Sequence, residues 1–273
     1  LACAENGQSF RDLAGGRGVG TFGGSEDHTA ILDCEAGTMS LYQYAPTVFK
    51  ARAAWPKDWD LVVSFSGVRA EKTGAALEEY NLASRRASLA VSAYNDLNGT
   101  AHRVLGDIEK ETRGTSASRW LGKLAGRKAE DRKLDLPGRV RQFLLEERST
   151  TPKAFQALLW RDARAFGGAL SLSHHASRRL LWNIVPEIDF LQRSAVRLGA
   201  AGATGFGAGF GGSIFALVEA GRSEGFVRAW REQYSRRYPE RAAEASFFVT
   251  RPGPGIRVWD ESGPVRFVDL LFG

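Results

Sequence analysis

Gly202-Ala203-Thr204-Gly205-Phe206-Gly207-Ala208-Gly209-Phe210-Gly211-Gly212 runs directly into Ser213-Ile214-Phe215-Ala216-Leu217-Val218, and the fold turns on this stretch. Gly207, Gly209 and Gly212 satisfy G-x-G-x-x-G, but the order around them is helix, loop, strand. A dinucleotide site needs strand, loop, helix, so that the helix N-terminus meets the pyrophosphate. That reading fails on context, and no G-x-x-x-x-G-K-[ST] occurs anywhere in the chain. Two readings of the loop stay open. It is a tight packing turn, or a backbone without Cβ atoms that takes φ > 0 repeatedly and lies close to a ligand.

Outward from the loop, a helical region spans roughly 176–199 with an interruption at Pro186, and the strand Ser213 to Val218 follows the glycines. A helix from Glu224 to Tyr238 and a strand from Ser246 to Thr250 come next. Upstream, Asp60 to Ser66 is a short strand through Leu61-Val62-Val63-Ser64-Phe65, and a long helix covers about Gly74 to Leu97. Residues 100–165 read as mostly helical and strongly charged, with Pro137-Gly138 as punctuation. Strand, helices, strand, helix, strand predicts a layered α+β domain of the ferredoxin-like kind. Near the start, residues 1–13 read as the end of a helix before Gly15-Gly16-Arg17-Gly18. Ser25 is a plausible N-cap for a helix starting near residue 26, with Glu26 and Asp27 in its first turn.

Composition narrows the function classes. With 43% apolar and 25% charged residues the chain is an ordinary globular one, and its apolar runs are too short to cross a bilayer. A net charge of +6 favours anionic partners, which a nucleotide phosphate satisfies. Acids interrupt the bases, as in Glu130-Asp131-Arg132-Lys133-Leu134-Asp135, so a nucleic-acid partner is not expected. Cys3 and Cys34 build no disulfide framework, which predicts a cytoplasmic setting. His174 and His175 are adjacent rather than at metal-ligand spacing. The chain opens without methionine, and a piece of a longer protein is expected.

Gly207-Ala208-Gly209-Phe210-Gly211-Gly212 followed by an apolar strand resembles the third conserved motif of the GHMP small-molecule kinases, in its galactokinase form. Phe206 stands where that form has threonine, so a hydroxyl role is lost or moved, with Thr204 nearby. Ala4-Glu5-Asn6 and Gly24-Ser25-Glu26-Asp27-His28 resemble the A-E-[HN] and G-I-M-D-Q segments, separated by about ten more residues than usual, centred on Ser9 to Gly18. Ser66-Gly67-Val68 with Glu79-Tyr80-Asn81, Ser173-His174, and Val185-Pro186-Glu187-Ile188-Asp189 resemble further segments in the same order.

The resemblance implies a GHMP-type α+β fold. Residues 1–50 would be the remainder of an N-terminal ribosomal-protein-like domain, and 51–273 a ferredoxin-like C-terminal domain. It implies an ATP- and Mg2+-dependent kinase acting on the anomeric hydroxyl of a monosaccharide, D-galactose first, L-arabinose or fucose as alternatives. Asp27 would be the catalytic base, although a helix N-terminal aspartate is by itself commonplace. Glu5 would bind Mg2+, and Gly24 and Tyr80 would meet the sugar. Gly207, Gly209, Gly211 and Gly212 would lie over the nucleotide. His28 replaces a glutamine, and Glu26 falls at a variable position. A monomer without nucleic-acid or membrane partners is expected. The first two kinase signatures are absent, so the chain alone is expected to be inactive. A non-catalytic sugar and nucleotide sensor and a basic RNA-binding protein are the rivals from other classes.

Overall fold

The computed structural model describes residues 2–9, 11–18, 22–69, 75–113, 118–125, 134–207, 209–260 and 263–266. Its centre is a four-stranded antiparallel sheet built from β3 (Trp59–Phe65), β4 (Gly202–Gly205), β5 (Ser213–Glu219) and β6 (Ser246–Thr250), in the order β4-β5-β3-β6. Helices α3 to α9 lie between β3 and β4 in the chain, and α10 (Ser223–Arg237) lies between β5 and β6. This β-α-β-β-α-β path is the ferredoxin-like arrangement expected from the sequence. β5 and β6 match their expected positions closely, and β3 begins and ends one residue earlier than expected.

The period-two alternation of β5 sorts its side chains onto two cores. Ile214, Ala216 and Val218 join Val62 and Phe247 against α9 (Pro186–Arg197) and α10, where Leu191, Trp230 and Tyr234 are fully buried. The indole N–H of Trp230 stays satisfied there, donating to the Leu191 carbonyl and Ser194 Oγ, each at 3.1 Å. Leu217 faces the other way, toward α7 (Thr151–Leu159), α8 (Ala163–Ala176) and Trp55 at the end of a hairpin. That hairpin, β1 (Thr38–Gln43) with β2 (Val48–Ala54), was not expected. We propose that the division between the two domains lies at the turn after β2, since residue 50 falls within that strand.

Three further segments differ from expectation. Among the described residues before α2, only α1 (Ala2–Glu5) is helical, because glycines at 7, 15, 16 and 18 favour a loop. Gly202 to Gly205 is strand β4 rather than loop, and α8 fills a stretch expected to hold the seam between two helical regions. Pro137 and Pro186 each sit in the first turn of a helix, α6 (Leu136–Leu145) and α9, where a missing N–H costs nothing. The helix from residue 26 is confirmed as α2 (Glu26–Asp33), but Ser25 Oγ bonds Thr47 at 2.8 Å instead of capping.

A separate helical core joins α3 (Ala75–Asn98), α4 (Leu105–Glu111), α5 (Ser118–Ala125) and α6 through Tyr94, Ile108, Trp120, Leu124 and Val140. Arg86 of α3 is fully buried beside it. Its guanidinium donates to the carbonyls of Leu180 and Asp135 at 2.9 Å and lies 4.0 Å over the Trp182 ring. No described helix is long and apolar enough to cross a membrane.

His174 of α8 is fully buried, with neither ring nitrogen hydrogen-bonded and Asp189 at 3.6 Å. Burial pulls its pKa from 6.5 down to about 4, against the opposing pull of Asp189. The unfolded chain therefore takes up a proton near pH 6.5 that the folded His174 refuses until about pH 4. Its contribution to stability is complete above that window and falls as pH drops through it, by about 3 kcal/mol at most. Urea midpoints of wild type and His174→Gln between pH 7 and 4 should converge as pH falls.

Candidate active site

The Ala4-Glu5-Asn6 and Gly24-to-His28 segments are brought together by one side chain. Asn6 Nδ2 donates to the Gly23 carbonyl at 2.8 Å, and Gly23 N donates back to Asn6 Oδ1 at 3.0 Å. An amide that offers both a donor and an acceptor to one peptide fixes that peptide in two directions. The Ser9-to-Gly18 insertion folds back to the same place, for a Cβ at Gly7 would lie 3.0 Å from the Arg17 carbonyl. Gly15 N also donates to Ser9 Oγ at 2.9 Å. The loop thus leaves and rejoins the chain beside Glu5.

The clamp places Glu5, Asp27 and His28 in one cluster. His28 Nε2 lies 3.3 Å from Glu5 Oε2, and His28 Nδ1 lies 3.1 Å from Asp27 Oδ1. One ligand atom from each residue falls within 4.8 Å of the others. Asp27 is the most open of the three, with 69% of its side chain exposed against 22–23% for the other two. Its carboxylate is aimed by the helix start, since the His28 backbone N–H donates to Oδ1 at 2.9 Å.

Gly24 lies within the same segment and has a packing reason to be glycine. A Cβ there would come 2.5 Å from the ring of Tyr44. Tyr44 was not singled out in the sequence, and neither was Arg139, which interacts electrostatically with its phenol. Burial, with Arg86 beside it, lowers the Arg139 pKa to about 10, so it remains a cation at neutral pH. Asn81 of α3 accepts from Phe22 N at 2.9 Å and ties the helix to this segment. Tyr80 is its neighbour in α3; the position of its side chain lies outside the described residues.

The glycine loop forms a second cluster at the end of β3. Gly207, Gly209, Gly211 and Gly212 all have positive φ, as does Phe210 at 61°. Phe210 N donates to the Asn183 carbonyl at 2.7 Å, and Gly212 N to the Val68 carbonyl at 2.8 Å. The glycines divide by role. A Cβ at Gly209 would meet Asn183 Nδ2 at 2.6 Å, and one at Gly211 would meet the Val68 carbonyl at 2.7 Å. Cβ atoms at Gly207 and Gly212 would meet nothing within 4 Å. The loop is therefore packed at Gly209 and Gly211 and open at Gly207 and Gly212. Ala208 lies outside the described residues. Gly209→Val should lower stability by about 1–3 kcal/mol, whereas Gly207→Ala should cost about 1 kcal/mol or less for its left-handed backbone. Urea titration of the two variants reads that difference.

The donors fit a divalent cation in part. The carboxylate oxygens of Glu5 and Asp27 suit Mg2+, while the His28 imidazole does not.

Comparison with known proteins places the fold. Residues 153–236, from α7 into α10, match the family model for GHMP kinases C terminal. Over 239 residues the chain is 30% identical to the galactokinase of Thermococcus kodakarensis, covering 86% of this chain and 56% of that protein. It is 32% identical over 205 residues to the galactokinase of Mycobacterium tuberculosis, covering 75% and 51%. The crystal structure of Lactococcus lactis galactokinase complexed with galactose matches with a TM-score of 0.64 at 22% identity, over 83% of this chain and 54% of that one. The chain spans about half the length of the curated relatives it matches. Its sequence motifs, sheet order and relatives agree: the chain is a galactokinase-like member of the GHMP kinase superfamily.

Proposed function

We propose that this chain contributes the base and part of the metal and nucleotide sites of an ATP-dependent sugar kinase, which phosphorylates the anomeric hydroxyl of D-galactose. The observation that carries the reading is the Asn6–Gly23 clamp, which sets an exposed Asp27 carboxylate beside Glu5. The galactokinase relatives support the same substrate class.

Phosphoryl transfer asks a protein for positioning and charge stabilisation more than for covalent chemistry. Asp27 accepts the hydroxyl proton and orients the attacking oxygen. Gly24 leaves a low backbone against which a sugar can rest, with the Tyr44 ring closing its other side; Tyr80 keeps the sugar-contacting role that the resemblance implies. The open positions Gly207 and Gly212 give the nucleotide phosphates room against the loop backbone. Glu5 would hold Mg2+ together with phosphate oxygens. When bound, that ion neutralises charge on the transferring group.

A second reading of the substrate has its own observation. The Ser9-to-Gly18 loop closes beside Glu5, next to the proposed sugar site, where extra residues can change which sugar fits. ADP release by the protein with the N-terminal kinase signatures in place, given D-galactose, L-arabinose or L-fucose, separates the two. The highest kcat/KM is expected for D-galactose. A preference of tenfold or more for another sugar would assign the loop to specificity, and release with none of them would reject the kinase reading.

A further inference from the structure

Arg86 of α3 is fully buried, and the proposed chemistry does not use it. Taking a cation out of water is costly, and an apolar residue of similar volume often packs as well. What the guanidinium holds accounts for its presence. Nη1 donates to the Leu180 carbonyl and Nη2 to the Asp135 carbonyl, each at 2.9 Å. Leu180 belongs to a π-helical turn, Ser177–Leu181, and Asp135 precedes α6. The guanidinium carbon lies 4.0 Å over the ring of Trp182, the residue that ends the turn.

Asp135 and Trp182 are both left-handed, with φ of 45° and 65°, a conformation that residues with a Cβ rarely adopt. Five described residues other than glycine have positive φ; two of them touch Arg86, and a third, Phe210, lies in the glycine loop. Such residues persist where surrounding contacts over-determine them. The contacts continue from Trp182 to that loop. Asn183, next in the chain, accepts from Phe210 N at 2.7 Å and occupies the space that a Cβ at Gly209 would need. The other end of the path is α3 itself. Asn81, about 7.5 Å along the helix axis from Arg86, accepts from Phe22 N at 2.9 Å, at the head of the segment that carries Asp27.

We propose that Arg86 is a positioning residue, which sets the glycine loop, through Trp182 and Asn183, against the segment bearing Asp27. The fork reaches carbonyls on two elements while its flat face stacks on an indole, and a lysine ammonium reproduces neither. The consequence for phosphoryl transfer rests on the proposed function; the link from Arg86 to the loop does not. That link is read without turnover, from amide resonances of the glycine-labelled protein with the N-terminal kinase signatures in place. Arg86→Lys should shift Gly209 and Gly211 and leave the exposed Gly168 unmoved. It should also weaken binding of a non-hydrolysable ATP analogue and lower kcat, each by about ten- to a hundredfold, as a displaced loop would. Galactose affinity should hold within about twofold, a split that a role in packing alone would not produce. Unmoved Gly209 and Gly211 resonances would overturn the proposal. So would shifted resonances with nucleotide affinity and kcat both unchanged. If Arg86→Lys does not fold, Trp182→Leu removes the half-exposed ring and reads the same link from its other side, with the same outcomes deciding. A wild type that binds the analogue but phosphorylates no sugar would strike the kinase reading, and the resonances and nucleotide affinity would still decide the role of Arg86.

Discussion

Asp27→Asn, in the protein with the N-terminal kinase signatures in place, is expected to lower galactose phosphorylation by about a hundred- to ten-thousandfold, the share that a positioned proton acceptor contributes. The substitution keeps the size of the side chain and its ability to accept the His28 backbone N–H, which holds Asp27 Oδ1 at 2.9 Å. It removes only the basicity. Because the side chain is 69% exposed, stability should change little. ATP affinity should stay within a few-fold, for the nucleotide is assigned to the loop at the end of β3. Turnover within a few-fold of wild type would remove Asp27 from the chemistry and return it to an ordinary helix-start aspartate.

Gly167→Val is expected to destabilise the protein by about 3 kcal/mol or more, or to prevent folding. Gly167 of α8 faces Gly202 of β4 with no side chain between them. A Cβ at Gly167 would lie 2.6 Å from Gly202 N and closer still to the Ala201 carbonyl, all of it backbone that cannot turn aside. Helix and strand would have to part by about an ångström to restore ordinary contact. Phe166 and Leu170, buried on the same helix against Trp55, Trp59 and Leu217, would be drawn out with it. The neighbouring glycine is the control. Nothing lies within 4 Å of a Cβ at Gly168, and Gly168→Ala should be stabilising by up to about 1 kcal/mol through helix propensity. Opposite shifts in the urea midpoint for adjacent glycines are the expected result. Equal shifts would mean that the close approach of α8 to β4 is wrong.

The same glycine pair explains why β4 was not legible as a strand. Gly202-Ala203-Thr204-Gly205 offers almost no side-chain pattern, because its composition answers to the helix lying on it rather than to its own face. β5 was legible because an apolar run of its length, buried on both faces, has few other homes. The β1–β2 hairpin was missed because Phe49-Lys50-Ala51-Arg52-Ala53-Ala54 alternates mostly through alanine, a residue depleted in strands. Arg86 carried no signal at all. In a charged helix an arginine looks solvated, and the groups that bury it are backbone carbonyls at 135 and 180, which no residue type advertises.

For the site, motif resemblance located Glu5 and Asp27, and local reasoning about helix starts placed Asp27 at the head of α2. What joins them was hidden in plain view. Asn6 was quoted as part of a motif, yet its function as a clamp depends on a peptide 17 positions away. Tyr44 lies on a turn between two unexpected strands, and only the folded chain brings its ring to Gly24.

The central claim is that Asp27 directs phosphoryl transfer from ATP to the anomeric oxygen of a sugar. Phosphorus NMR of the protein with the N-terminal kinase signatures in place, incubated with ATP, Mg2+ and D-galactose, tests it most directly. The account predicts a new sugar phosphate resonance split by a single anomeric proton, formed by wild type, nearly absent with Asp27→Asn and absent with 1-deoxygalactose. A phosphate split by two equivalent-carbon protons, as from a C6 ester, or release of inorganic phosphate alone, would contradict it.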